Sequence, residues 1–370
     1  MKKLCILMLC LVIFSLCFPV EADAQSLTEQ AAEAVGLGNL EESLTEEERV
    51  VGGSLDLTGG YDAAGALSRL WQMVLDSFLK SLHAQFSFAA SLLALIFLCA
   101  LADGVTANTN AKNGIVLAAC CTAAALTAGD WDSGIAQATQ TLSRLSDYSR
   151  AALPVIYTAA AASGSMGSAP IRYASCCLAM EVLMTVSSQL VLPLIYAYLA
   201  LALSGSIADN VLLRAVQRLI RWITVTLLAG LTTAFGLYIS LTGLVAGSAD
   251  ALAVKAAKTA IASVLPVVGG ILSDSAAALL SAAGVIRSTA GVFSMIAVCA
   301  VCTGPVVFLA LKMLLLRAAS TMAELLPGGR LSRLLDECAS AFGMLLGLVG
   351  SCSAMLFFSL MAGMKAVSGT

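Results

Sequence analysis

Ionisable side chains and prolines set inside long apolar runs are the residues of this chain whose types carry chemical meaning. Glu181 is the one charged residue between Tyr173 and Ala208. A carboxylate in hydrocarbon costs several kcal/mol, so an intramembrane acid is read first as functional. Two placements are open for it: a pore-lining or proton-sensitive group, or a residue near the membrane surface facing Arg172. Asp274, in Ser273-Asp274-Ser275 ahead of an Ala/Leu run, fits a helix cap or an ion ligand. Pro193, Pro266 and Pro305 remove backbone donors within apolar segments and mark bends. These five are candidate pore or structural-mechanistic positions. Catalytic, cofactor and metal sites are not expected. His83 is the single histidine and leaves no nucleophile–base pair to assemble. Cys299-x-x-Cys302 lies in a helical run without a second pair to complete a zinc site. Gly52-Gly53 and Gly59-Gly60 have no lysine nearby to make a phosphate cradle.

The composition says where such residues must sit. Of 370 residues, 59% are apolar and 12% charged, and the mean hydropathy is +0.92. Soluble domains carry about 25% charge; half that density cannot coat a globule of this size. A soluble enzyme, a disordered chain and a basic nucleic-acid binder are excluded, the last also by a net charge of −3. The abundance of Ala, Leu, Gly and Ser suits closely packed membrane helices. Of the 12 cysteines, Cys5, Cys10 and Cys17 precede residue 25 and nearly all others fall in apolar spans, as small buried hydrophobes rather than a disulfide framework.

Lys2-Lys3, the apolar run Leu4–Phe18 and Ala22-Asp23-Ala24 read as a secretory signal peptide over 1–24; an uncleaved first membrane helix is the other reading. Residues 25–85 form an acidic extracytoplasmic segment, with ten acids against Arg49, Arg69 and Lys80. Thr45-x-x-Glu48 and Ser43-x-x-Glu46 resemble capping boxes. Leu67, Leu70, Trp71, Val74, Leu75, Phe78, Leu79 and Leu82 recur at helical spacing, which predicts an amphipathic helix over Tyr61–Phe86 leading into the bilayer, on its surface or against a partner.

The fold class expected for 86–370 is all-α: a polytopic membrane domain with six spans near 86–102, 114–129, 174–203, 222–247, 290–311 and 338–364. The third, 30 residues or about 45 Å of helix, exceeds the hydrocarbon core of about 30 Å and must project or break, with Pro193 the expected bend. Basic residues orient the domain. Arg214, Arg218 and Arg221 lie in one connection, and Lys312, Arg317, Arg330 and Arg333 in another. Both are expected in the cytoplasm, with Lys312 snorkelling to the inner surface.

An internal duplication is suggested by Leu153-Pro154-Val155 recurring as Leu265-Pro266-Val267, and Pro193 as Pro305, each displaced by 112 residues. The units would cover 151–247 and 262–364. The Leu-Pro-Val segments read as re-entrant or surface helical pairs, or else as full crossings that would invert the repeats.

The stretch from Ala262 to Val349 resembles the stage III sporulation protein AE family. The resemblance rests on Leu265-Pro-Val-Val-Gly-Gly-Ile-Leu-Ser-Asp274, Cys302-Thr-Gly-Pro-Val306, Leu311-Lys-Met-Leu314 and Ala341-Phe342-Gly343. It implies a non-enzymatic, multi-pass subunit of a secretion-like transenvelope channel complex in the mother-cell membrane facing the forespore, required for sporulation. The implied partners are other membrane and ring-forming proteins of that complex, a separate cytoplasmic ATPase and membrane lipid, with no cofactor and no nucleic acid. The residues themselves leave a second reading open, a self-sufficient secondary transporter for a small solute, supported by the repeat, the Pro-bearing spans and Glu181.

Single cysteines at positions 160, 210, 280, 325 and 368 test the topology. The expected outcome is labelling of 210 and 325 from the cytoplasm and of 160, 280 and 368 from outside; any exchange between the two groups reverses the orientation.

Overall fold

Hydrocarbon supplies no water to bond backbone amides, so a chain this apolar must pair them within helices or a closed barrel. The structure, a computed structural model, describes residues 37–52, 62–105, 109–163, 169–208, 211–264, 269–326 and 329–365. Among them every regular element is helical. They are α1 (Leu37–Glu42), α2 (Glu46–Gly52), α3 (Ala63–Val105), α4 (Thr109–Ala162), α5 (Ala169–Val186), a π-helical turn (Ser187–Val191), α6 (Leu192–Ala208), α7 (Val211–Val264), α8 (Gly269–Ala323) and α9 (Arg330–Lys365). Six runs are long and apolar enough to cross a membrane: Ala63–Ala102, Ala111–Ala162, Ala169–Gly205, Val211–Ile239, Ala283–Ala323 and Arg330–Met364. Each expected span falls within the helix carrying one of these runs. The signal segment and Leu265-Pro266-Val267 lie outside the described residues.

α9 is the axis. Leu334, Leu335, Cys338, Phe342, Leu345, Leu348, Val349, Cys352, Met355 and Leu356 are all buried, at spacings that cover more than one face, so α9 meets α4, α7 and α8 as well as the α5–α6 run. Contact with α4 is set by Trp131 stacked on Phe342, ring centroids 4.2 Å apart. A Cβ at Gly134 would lie 2.8 Å from the Phe342 ring, so this approach needs glycine.

Helix direction alternates along the chain, and contacts fix the two ends. Cys99, Ala119, Leu326 and Leu331 line one small cavity, which puts the α3–α4 and α8–α9 connections together. The Tyr198 hydroxyl donates to Glu337, bringing the middle of α6 beside the first turns of α9. At the opposite end Arg287 of α8 donates to the Gly363 and Met364 carbonyls that close α9 and reaches Ser163 after α4. Gly329 enters α9 with φ +57°, a left-handed turn that a side chain would strain.

The amphipathic stretch before residue 86 is the first half of the continuous α3, which packs on α8, with Leu67, Trp71, Leu79 and Phe86 exposed. Three expectations are corrected. The Leu153-Pro154-Val155 segment is neither a re-entrant pair nor a break, because α4 continues through Pro154 with Leu153 and Ile156 buried in the core. Asp274 does not cap α8, which begins five residues earlier at Gly269; its side chain lies outside the described set. Lys312 does not snorkel. It is 2% exposed, bonded to Asp130 of α4 at 2.7 Å, and its ammonium lies 3.6 Å from the centre of the Phe88 ring. A carboxylate and an aromatic face replace the water that snorkelling would have sought.

Part of the acidic N-terminal segment also packs inward. Leu40, Leu44 and Val51 are buried. Glu48 Oε2 accepts the Thr45 N–H at 2.9 Å, one half of a capping box at the start of α2. The same oxygen bonds Arg144 of α4 at 2.7 Å.

Asp130→Asn should strand the Lys312 ammonium and lower unfolding stability by about 3 kcal/mol, measured as thermal unfolding in detergent. The double variant Asp130→Leu with Lys312→Met should recover most of that loss. Equal damage from single and double variants would show that the pair does not hold α4 to α8.

Candidate functional site

The level of each side chain along the bundle can be gauged against α9, which carries no charge from Cys338 to Met364. Gly134 of α4 faces Phe342, and Ile156 faces Gly363. The α4 residues between them therefore lie alongside this charge-free stretch. Yet their outward face is polar: Thr139, Ser143, Asp147 and Arg150 are exposed and recur every three or four residues, one side of a helix.

Across from it stands α5. Cys176 bonds Ser359 and Ser187 bonds Cys352 at 3.3 Å, so Glu181 lies between the levels of those two α9 residues. Glu181 accepts from Arg150 at 3.2 Å. It faces Arg150 rather than the expected Arg172, because the α4–α5 crossing sets its partner. Thr139, Ser143, Asp147 and Arg150 on one wall, with Glu181 and Ser188 on the other, bound a groove of about 350 Å³.

The groove is open. The Arg150 and Glu181 side chains are 63% and 61% exposed, which hydrocarbon would not tolerate; water or another polypeptide must meet them. In such a setting the pair holds the helices weakly, by about 0–1 kcal/mol, and each charge remains available to another partner. Chemically the arrangement can solvate ions or polar segments and exchange one ion pair for another.

Pro193 explains the local backbone. It cannot donate to Gln189, and its ring crowds that carbonyl. The helix widens just upstream, so that the Leu192 N–H bonds Ser187 O across the π turn. The widened turn carries Ser188, whose hydroxyl donates to Met184 O at 2.8 Å, on the groove wall. π turns of this kind often accompany functional sites. The expected bend is thus a register change placed before the proline. Pro305, its counterpart in the suggested repeat, sits in the uninterrupted α8.

The other named positions lie elsewhere. Arg214, Arg218 and Arg221 start α7, Arg317 is near the end of α8, and Arg330 and Arg333 open α9; they share the bundle end of the α3–α4, α6–α7 and α8–α9 connections. Arg317 pairs with Asp336. Lys312 lies deeper, with Asp130. Pro266 is outside the described residues. Sequence reasoning missed Arg150, Asp147 and Ser188 as companions of Glu181. The recurrence of polar residues at 139, 143, 147 and 150 was the available signal, hidden because the expected second span ended at 129.

Fold and site together define a six-run helical membrane protein with a lateral hydrophilic groove. A family model described as stage III sporulation protein AE matches residues 58–366, and the chain belongs to that family. It is 22% identical over 223 residues to the stage III sporulation protein AE of Bacillus subtilis (strain 168), a match covering 60% of this chain and 56% of that relative. The alignment thus spans little more than half of the relative's length. No solved structure matches.

Glu181→Gln should shift unfolding stability by no more than about 1 kcal/mol, read as thermal unfolding in detergent. A markedly larger loss would make the ion pair a structural clamp rather than an exchangeable contact.

Proposed function

We propose that this chain is a non-enzymatic membrane subunit of the transenvelope channel complex that joins mother cell and forespore during sporulation. The single observation that carries this reading is the open groove of Arg150 and Glu181, level with a charge-free stretch of α9. A lone chain surrounded by lipid would leave those groups without a solvent; a neighbouring subunit or a shared aqueous passage supplies one. Membership of a sporulation family supports the biological setting. The arginine-rich bundle end faces the mother-cell cytoplasm in this reading, where a separate ATPase would act, and the opposite end faces the space between the two membranes, where ring-forming partners would dock. Glu181 lines the hydrophilic path, while Pro193 shapes its wall.

A self-sufficient transporter would use the same groove as a solute site, and the two readings separate in one set of measurements. The tagged chain should co-purify from sporulating cells with other membrane subunits and with the ATPase, and the purified chain should give no flux in liposomes. Flux by the chain alone would instead establish the transporter. Glu181→Gln should lower spore yield by at least about tenfold while membrane insertion stays normal, as expected for an intramembrane acid with a working role. Normal yield would remove Glu181 from the mechanism.

A further inference from the structure

α7, α8 and α9 line an open slot of about 610 Å³ whose chemistry differs from that of the groove. Its long walls are apolar or small: Val225, Leu228 and Ala229 on α7, and Gly343, Met344 and Gly347 on α9. Its mouth is basic, with Arg221 of α7 and Arg317 of α8. Arg221 is exposed and makes no ion pair among the described residues. Arg317 gives one guanidinium nitrogen to Asp336, and a guanidinium has five N–H donors in all. Ser340 also lines the slot, and its hydroxyl has no hydrogen-bond partner among the described residues.

The length of the slot is telling. From Arg221 to Thr232 on α7, and from Ser340 to Ser351 on α9, eleven residues rise about 16 Å, close to the roughly 15 Å of hydrocarbon in one bilayer leaflet. Beyond the arginines no charged residue follows on α7 through Thr232 or on α9 through Ser351. An apolar channel one leaflet deep, with paired cations at its end, complements a phosphate joined to a hydrocarbon chain.

A transmembrane helix from another protein is a poorer occupant. The row Ala339, Gly343, Gly347, Ser351 has the small-residue spacing that brings helices together, but the chain has already used it. A Cβ at Gly343 would lie 3.2 Å from Met313 Sδ, and one at Gly347 would lie 3.2 Å from Leu228 Cδ2. The backbone that a further helix would need is covered, while the space beside it admits something thinner.

We propose that this slot binds one anionic phospholipid, with its phosphate between Arg221 and Arg317 and an acyl chain lying along Val225, Leu228 and Met344. The arginines select the headgroup, and the lipid wedges α7 against the α8–α9 hairpin. Nothing in this proposal depends on the groove or on a channel role; it requires only that the helices cross a bilayer.

The full chain, purified in detergent, tests this by native mass spectrometry with phosphatidylglycerol, phosphatidylcholine and glycerol phosphate as probes. Two cations near a lipid phosphate should favour phosphatidylglycerol over phosphatidylcholine by about tenfold or more, with no retention of glycerol phosphate, which lacks the chain. Arg221→Gln combined with Arg317→Gln, both exposed positions, should bring the two lipids to parity. Ala229→Phe should displace phosphatidylglycerol while leaving both arginines in place. Equal retention of the two lipids by the unaltered chain would overturn the proposal. So would glycerol phosphate binding as well as the lipid, or unchanged phosphatidylglycerol retention in the arginine variant. If Ala229→Phe fails to fold, the arginine variant and the headgroup comparison still decide the matter. Protection of the slot by a partner helix in the assembled complex, with no phosphatidylglycerol retained, would also refute it.

Discussion

Hydrocarbon can hydrate neither a peptide group nor an ion, and the architecture follows from meeting that constraint. Backbone groups are satisfied within the helices. Several threonine hydroxyls are satisfied in the same way: Thr122, Thr127, Thr139, Thr224 and Thr232 each donate to the carbonyl one turn earlier. Charges need partners from other helices. Lys312 takes Asp130 and the Phe88 ring, Glu48 takes Arg144, and Arg287 takes the carbonyls at the end of α9. Each solution fixes the relative height of two helices, so satisfying the charges also sets the register of the bundle.

Within that register α9 does most of the packing. Its buried side chains face several helices at once, and its small residues let neighbours approach: Gly343 meets Met313, and Gly347 meets Leu228. The stacked pair Trp131–Phe342 and the Tyr198–Glu337 hydrogen bond tie α4 and α6 to the same stretch. Outward business falls to α3, α4, α5 and α7, whose exposed surfaces differ: α3 shows Leu67, Trp71, Leu79 and Phe86, whereas α4 shows a polar stripe.

The two cavities express that difference. Between α4 and α5 the exposed groups are charged and hydroxylic at a depth where α9 carries none, which makes sense only if water or protein covers them. Between α7, α8 and α9 the exposed groups are apolar with cations at one end, which suits an amphiphile. One side of the molecule is thus built for something wet and another for something oily.

Composition and local pattern alone determined the helical class, the six apolar runs, the arginine-rich connections and the strain at Pro193, because each is a property of neighbouring residues: hydropathy over a span, charge over a loop, one missing donor. The family was legible too, through short strings such as Cys302-Thr-Gly-Pro-Val306. Only the tertiary structure decided that Lys312 is buried, since its partner lies 182 residues away; that Glu181 meets Arg150; and that the acidic Glu48 points into the bundle. That the helices run well past the expected spans was out of reach for the same reason. Asp130 looked like the edge of a span because a charge with no visible partner reads as solvent-exposed, and whether a charge has a partner depends on helix rotation and height, which no local pattern encodes.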